Sequence, residues 1–242
     1  ASYLAQWEVM KAASEHGATV LLDGQGGEEL LCGYHGYWGS YWGDLVRGGQ
    51  VRNLVHEARA YQRQQARIHP TVWANVARAT LPTGLVSQVR SWLQGHGSWM
   101  HPGFAGQYRD RSRWLDYEGP FSTALENHVS AYLKTHSLPA LLHHEDRNSM
   151  AFSIEARLPF LDTRLVDFLI RLPARHKLKE GRTKVILREA MAGILPEAVR
   201  QRTDKMGFAT PQDQWLRSRL RPDLEALFST KAFEQRGYWD PR

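Results

Sequence analysis

The chain has 242 residues, 42% of them hydrophobic and 23% charged, with a formal net charge of +6. That is enough apolar material for one large domain or a domain and a half. No run approaches the ~20 apolar residues of a membrane span, so no membrane partner is expected. The basic balance suits anionic ligands, yet Lys and Arg are scattered without a run of five or six, which argues against nucleic acid. The one cysteine, Cys32, cannot close an internal disulfide, and this favours a reducing, cytoplasmic setting. The histidines show no metal-type spacing such as H-E-x-x-H, so zinc is not expected. The chain opens on Ala-Ser-Tyr-Leu within a helical pattern, without an initiator Met or signal peptide. It reads as a piece of something longer.

In chain order, Leu4, Trp7, Met10 and Ala13 repeat at helical spacing up to Gly17, a C-cap residue. Val20-Leu21-Leu22 is the short apolar run of a strand buried on both faces. Gly24, Gly26 and Gly27 follow, then Glu28-Glu29-Leu30-Leu31 as a first helical turn. Strand, glycine loop and helix start in that order gather free backbone N–H groups and the positive end of a helix dipole, which suits a phosphate or carboxylate. The two glutamates would repel a bare anion, and they make sense with a divalent cation between, as Mg²⁺ lies against nucleotide phosphates. A tight turn with a charged helix start fits the same residues, because acids are favoured there anyway.

An aromatic, glycine-rich passage runs from Tyr34 to Trp42. Helical stripes come next: Val51, Leu54, Val55, Ala58 and Tyr61; then Val72, Trp73 and Val76 behind Pro70; then Leu85, Val89, Trp92 and Leu93. Gly95 to Gly119 lack any period and read as a mobile connection. Phe121, Leu125, Val129, Tyr132 and Leu133 restore a helix ending near Ser137. This middle region shows a helical bundle and no identifiable chemistry.

Ser137 with Pro139 resembles a helix start, with Leu138, Leu141 and Leu142 as its buried edge and Glu145-Asp146-Arg147-Asn148 as one wholly polar turn. In the extended stretch Ser153 to Asp162, Glu155 and Arg157 point to the same side between apolar residues. A buried pair of that kind is costly unless well hydrogen-bonded, and it hints at a site or a structural clamp. Asp162 and Thr183 read as N-caps of two further helices. Arg202 to Pro211 is a charged loop in which Lys205 could reach an anion or simply face solvent.

Four stretches, GQGGEELLCGY, HHEDRNSMAFSIEARLPFLD, TKVILREAM and RTDKMGFATP, together resemble the synthetase domain of the class B asparagine synthetase family, in register over residues 19 to 211. The resemblance implies part of an α/β adenine-nucleotide α-hydrolase-like domain, mostly α-helical with one or two buried parallel strands. It divides the chain into a nucleotide end (1–45), a helical region (46–136) and a helical part with the remaining active-site motifs (137–242). It implies a ligase that uses ATP and Mg²⁺ to activate a carboxylate as an acyl-adenylate for attack by ammonia or an amine. An N-terminal glutaminase domain, in cis or in trans, would supply ammonia, and a homodimer is possible. The family's SGG-x-DS loop and N-terminal cysteine do not occur in these residues, so this polypeptide alone is expected not to form acyl-adenylate. A non-catalytic relative that kept the scaffold is the other reading.

Carried over by residue, the resemblance places Asp23, Gly24, Gly26, Gly27 and Tyr34 at the nucleotide, with Asp23 standing where the family usually has Ser. Gln25 takes the place of a Glu or Tyr thought to help deprotonate the attacking amine. An amide has no usable basicity, so Gln25 is left to orient the nucleophile. Glu28 sits at a Mg²⁺-binding Asp, one methylene longer, followed by the acidic Glu29. Cys32 replaces a glycine. Lys205 matches the lysine that stabilises charge during adenylation, and Asp146, Arg147, Glu155 and Arg157 match the active-site wall.

Overall fold

The computed structural model describes residues 2–65, 67–81, 85, 100–107, 119–204 and 210–239. The first helix, α1 (Ser2–Glu15), stops at Gly17, whose φ of 78° is the left-handed geometry of a helix terminator. Strand β1 (Val20–Leu22) and the single turn α2 (Gly27–Leu30) follow. Four helices then form a bundle: α3 (Gly36–Arg47), α4 (Val51–Gln64), α5 (Pro70–Thr80) with proline in its first turn, and, after the short α6 (Pro102–Gln107), α7 (Ala124–Ala131). Thr123 caps α7, its hydroxyl accepting from the Glu126 N–H and donating to the Glu126 carboxylate. The chain continues through a π turn, 132–136, into α8 (Leu138–Met150).

Strand β2 (Glu155–Arg157) then returns beside β1, parallel and in register, Val20 with Glu155, Leu21 with Ala156 and Leu22 with Arg157. A 3₁₀ turn, 159–161, leads to α9 (Thr163–Arg171), capped by Asp162. A small antiparallel pair, β3 (Leu178–Lys179) and β4 (Arg182–Thr183), precedes α10 (Val185–Ala190) and α11 (Glu197–Arg200). Three short helices, α12 (Gln212–Arg217), α13 (Arg221–Phe228) and α14 (Lys231–Glu234), complete the described chain. It is mostly helical with two parallel strands, and no described helix is long and apolar enough to cross a membrane.

Apolar side chains gather in two cores. The larger joins Cys32, Tyr37, Trp38 and Trp42 to Tyr61 of α4, Val72 of α5, and Leu125 and Val129 of α7. The smaller packs Leu30 and Leu31 on Leu169 of α9 and on Phe160 and Leu161. Helices form at the stripes of α1, α4 and α5, but several stripe residues face solvent, Leu4, Trp7, Val51, Val55 and Trp73 among them; the third stripe lies outside the described residues apart from Leu85. So does most of 95–119, although 102–107 forms α6.

Four features differ from the sequence reading. The strand Val20–Leu22 is not buried on both faces: Leu22 is 73% exposed, because among the described residues nothing packs on the face it shares with Val20. Tyr34 to Trp42 is largely helix, despite three glycines between Gly36 and Gly43. Thr183 lies in β4, and Lys184, at φ 56°, occupies the cap of α10. Ser137 precedes α8 without capping it by side chain.

The glycines of α3 have a packing reason. A Cβ on Gly43 would overlap Ala79, and one on Gly39 would overlap the Val72 carbonyl and come 2.7 Å from the Asn75 Cβ. Helices α3 and α5 therefore touch backbone to backbone, and a methyl group has no flexible neighbour to displace. Gly39→Ala is expected to destabilise the protein by about 2 kcal/mol or more, within the range of overpacked cores. Urea unfolding checks it, and a loss under about 0.5 kcal/mol contradicts the close crossing.

Candidate functional site

Parallel pairing of β1 and β2 sets the carboxyl ends of both strands side by side, where open α/β sheets bind ligands. The ladder runs from the Glu155 N–H on the Thr19 carbonyl to the Asp23 N–H on the Arg157 carbonyl, each 2.9 Å. Beyond it the chain turns at once, and the Gln25 N–H donates to Asp23 Oδ1 at 3.0 Å. Gly26, at φ 86°, lies under Leu161, and a Cβ on Gly27 would sit 3.3 Å from the Phe160 ring. Packing on the 159–161 turn therefore accounts for both. Gly24 is different, because a Cβ there would meet nothing within 4 Å. Its bare backbone leaves open space at the strand end, room for a phosphate or adenylate to approach closely.

The two adjacent glutamates part company. Glu29 is 1% exposed, and its Oε1 accepts from the Tyr34 hydroxyl at 2.9 Å and the Ser137 hydroxyl at 2.8 Å. Burial, and then the Glu29 charge, push the Tyr34 phenol well above its usual range, so it stays a protonated donor. Glu28 instead takes an ion pair from far along the chain, Lys184 Nζ at 2.5 Å from its Oε1, with both side chains about a quarter to a third exposed. The Lys184 N–H also bonds the Leu31 carbonyl at 3.2 Å. A Cβ on Gly33 would overlap the Glu28 carboxylate and come 2.8 Å from Lys184 Cε, so any side chain there would have to push the ends of this ion pair aside.

Among the described residues no three His, Cys, Asp or Glu side chains converge as a metal site. Glu29, its carboxylate held inward by two hydroxyls, does not fit a metal. Glu28 fits: it offers one part-exposed carboxylate, all that Mg²⁺ needs when phosphates and water complete its octahedron. Lys184 marks the spot as one that accepts positive charge.

In the polar turn of α8, Asp146 and Arg147 are exposed and Glu145 points inward at 1% exposure. Neither Glu145 oxygen completes a hydrogen bond among the described residues. Beside it stand the Asp23 carboxyl and the Gln25 carboxamide from the loop after β1. Burial first, and then the Asp23 charge, push the Glu145 carboxyl up to about 7. Sequence reasoning passed over Glu145, although helical phase marks it: Leu138, Leu142, Glu145 and Ser149 form one stripe, and Leu138 and Ser149 are buried with it. Lys184 carried no such signal.

Glu155 and Arg157 do point the same way and pair at 2.8 Å, but on the open face of the sheet, 61% and 59% exposed. The buried pair inferred from their apolar neighbours is thus corrected. Those neighbours face the other side, and a pair in water is weakly held. Lys205 lies outside the described residues; the loop leading to it is tied to α4 by the Gln65 amide on the Thr203 carbonyl at 3.2 Å, and carries an Arg202–Asp204 pair. Cys32 is fully buried, and burial pushes its thiol up to about 12. Its φ of 57° is left-handed, the reason a glycine suits this position.

The asparagine synthase family model matches residues 1–242. Asparagine synthetase (glutamine-hydrolyzing) 1 of Bacillus subtilis is 28% identical over 222 residues, covering 88% of this chain and 34% of that protein. Asparagine synthetase (glutamine-hydrolyzing) 3 of the same organism is 35% identical over 105 residues, 39% of this chain and 17% of that protein. A putative asparagine synthetase (glutamine-hydrolyzing) of Mycobacterium bovis is 39% identical over 93 residues, 38% of this chain and 14% of that protein. The chain thus spans about a third or less of the length of these relatives. No solved structure matches. With the family model covering every residue from strand to C-terminal helices, this chain belongs to the asparagine synthase family.

Proposed function

We propose that the chain forms the C-terminal part of the synthetase domain of an ATP-dependent amide-forming ligase, on an adenine-nucleotide α-hydrolase-like fold. The carrying observation is the open space at Gly24, at the paired strand ends, beside a carboxylate that already binds a cation. The division into a nucleotide end (1–45), a helical region (46–136) and a motif-bearing C-terminal part (137–242) belongs to the same reading. So do a cytoplasmic setting, ammonia from a glutaminase domain in cis or in trans, and a homodimer.

When bound, ATP supplies the activation of a carboxylate as an acyl-adenylate, and Mg²⁺ neutralises phosphate charge. The chain's own residues do the rest by position and electrostatics. Gly24 admits the nucleotide, Gly26 and Gly27 seat the loop on the 159–161 turn, and Glu28 holds the metal. Lys184, and Lys205 from the charged loop, supply positive charge against the phosphates. Asp146, Arg147, Glu155 and Arg157 stand at the solvent side, where they would meet the rest of the domain or the substrate. Gln25 orients the nitrogen nucleophile through its amide. Glu29, with Tyr34 and Ser137, keeps the loop in shape.

A scaffold that binds without catalysis is favoured by a separate observation: Lys184 already neutralises Glu28. In the full-length protein, ATP–pyrophosphate exchange is expected, with Lys205→Ala slower by about 10²–10³-fold, the usual cost of one preorganised charge-stabilising group. Equal rates contradict the ligase. Calorimetry with ATP separates the scaffold: the ligase predicts heat that depends on Mg²⁺ and weakens at least tenfold in affinity in Glu28→Gln, while a scaffold gives no metal-dependent heat.

A further inference from the structure

The buried carboxylate of α8 is absent from the functional reading above, and that reading leaves a proton without a destination. A nitrogen nucleophile sheds a proton as it forms an amide, and Gln25, the residue at the expected base position, cannot take it. Asp23, part-exposed at the end of β1, accepts from the Gln25 N–H, and its carboxyl acts on Glu145. Glu145 lies behind them, 1% exposed, with neither oxygen bonded among the described residues. Two carboxylates placed so, one reachable and one buried, repel each other, and a proton received between them removes the conflict.

We propose that Asp23 and Glu145 form a proton-sharing carboxyl pair that receives the proton of the attacking nitrogen, with Asp23 as the catalytic base and Glu145 as its positioning residue. The proposal rests on the ligase reading. As the nitrogen lone pair bonds the acyl carbon, the carbon–oxygen bond to the adenylate breaks and its electron pair leaves with the phosphate oxygen. The nitrogen's surplus proton passes to Asp23, is shared with Glu145, and returns to water through the exposed side of Asp23.

Asp23 is the charged group that acts on Glu145. From the elements packed around α8, α1 turns Gln6 and the Tyr3 ring to Asn148 and His144, β2 turns Glu155 and Arg157 to solvent, and the preceding turn commits Ser137 to Glu29. Burial and the Asp23 charge hold the Glu145 proton to about pH 7, so the proton-accepting form fills as pH rises through neutrality. Amide formation is therefore expected to climb with pH across that range.

Infrared titration of the full-length protein without ligands tests the pair apart from any activity. A protonated-carboxyl band is expected that disappears near neutral pH and is missing in Glu145→Gln; its absence from the wild type overturns the proposal. With ATP, L-aspartate and ammonium chloride as probes, Glu145→Gln is expected to lower amide formation about 10²–10³-fold, in the range of a lost acid–base group. It should lower pyrophosphate exchange less than tenfold and flatten the pH rise. Equal falls in the two rates overturn the role. A wild type that exchanges no pyrophosphate sinks the ligase reading instead, and the infrared band then stands alone for the pair. Should Glu145→Gln fail to fold, Asp23→Asn at the strand end takes its place, and amide formation is expected to fall by the same factor. The protonated-carboxyl band is then expected to persist but to disappear at lower pH, because burial still raises Glu145 while the Asp23 charge no longer does. A band that does not move overturns the pair.

Discussion

Three residues of parallel strand hold the site together. Val20 to Leu22 against Glu155 to Arg157 is a short ladder, yet parallel pairing is the arrangement that sets two chain-distant loops at one end of a sheet. Side chains then tie the joint from residues far apart: Ser137 reaches Glu29 across 108 positions and Lys184 reaches Glu28 across 156. Closure entropy grows only with the logarithm of loop length, so spans of this size cost little more than shorter ones. The helical bundle inserted between the strands meets the candidate site chiefly at its edge, where Gln65 at the end of α4 holds the Thr203 carbonyl. Its part is to bring α8 back beside the loop after β1.

The same carboxylate chemistry takes three forms within this small region. Glu28 has a lysine partner and partial exposure, so its charge is available to exchange one cation for another. Glu29 is sealed in, but two hydroxyls donate to it, and a buried charge with donors is a stable structural anchor. Glu145 is sealed in with no completed bond, so burial favours its neutral form and leaves it near its switching point at neutral pH. Environment alone separates a carboxylate paired to a lysine, one anchored by two hydroxyls and one buried without a completed bond. None of this follows from residue type.

Helices with a clean apolar stripe were legible in the sequence, α1, α4 and α5 among them, and so was the strand–glycine–helix order around Gly24. Helix α3 was not, because its glycines mask the helical spacing of an aromatic passage until the neighbour requiring them is known; that neighbour, α5, comes later in the chain. The Glu155–Arg157 pairing followed from strand alternation, but its exposure depended on what covers the sheet, which local pattern does not carry. At the candidate site, Gly24 and Glu28 were singled out by their motif. Glu29 was grouped with Glu28 since adjacency hides the opposite directions of the two side chains. Glu145 was hidden by its exposed neighbours Asp146 and Arg147, and only helical phase separates it from them.

Hydrogen–deuterium exchange of the full-length protein, with and without ATP and Mg²⁺, bears most directly on the claim that the loop after β1 is built around a nucleotide. Slower exchange is predicted at the amides of 24–31 and at Lys184, with the helices α3, α4 and α5 unchanged. Saturating nucleotide that leaves 24–31 exchanging as before, while protecting some other part of the chain, would contradict the account.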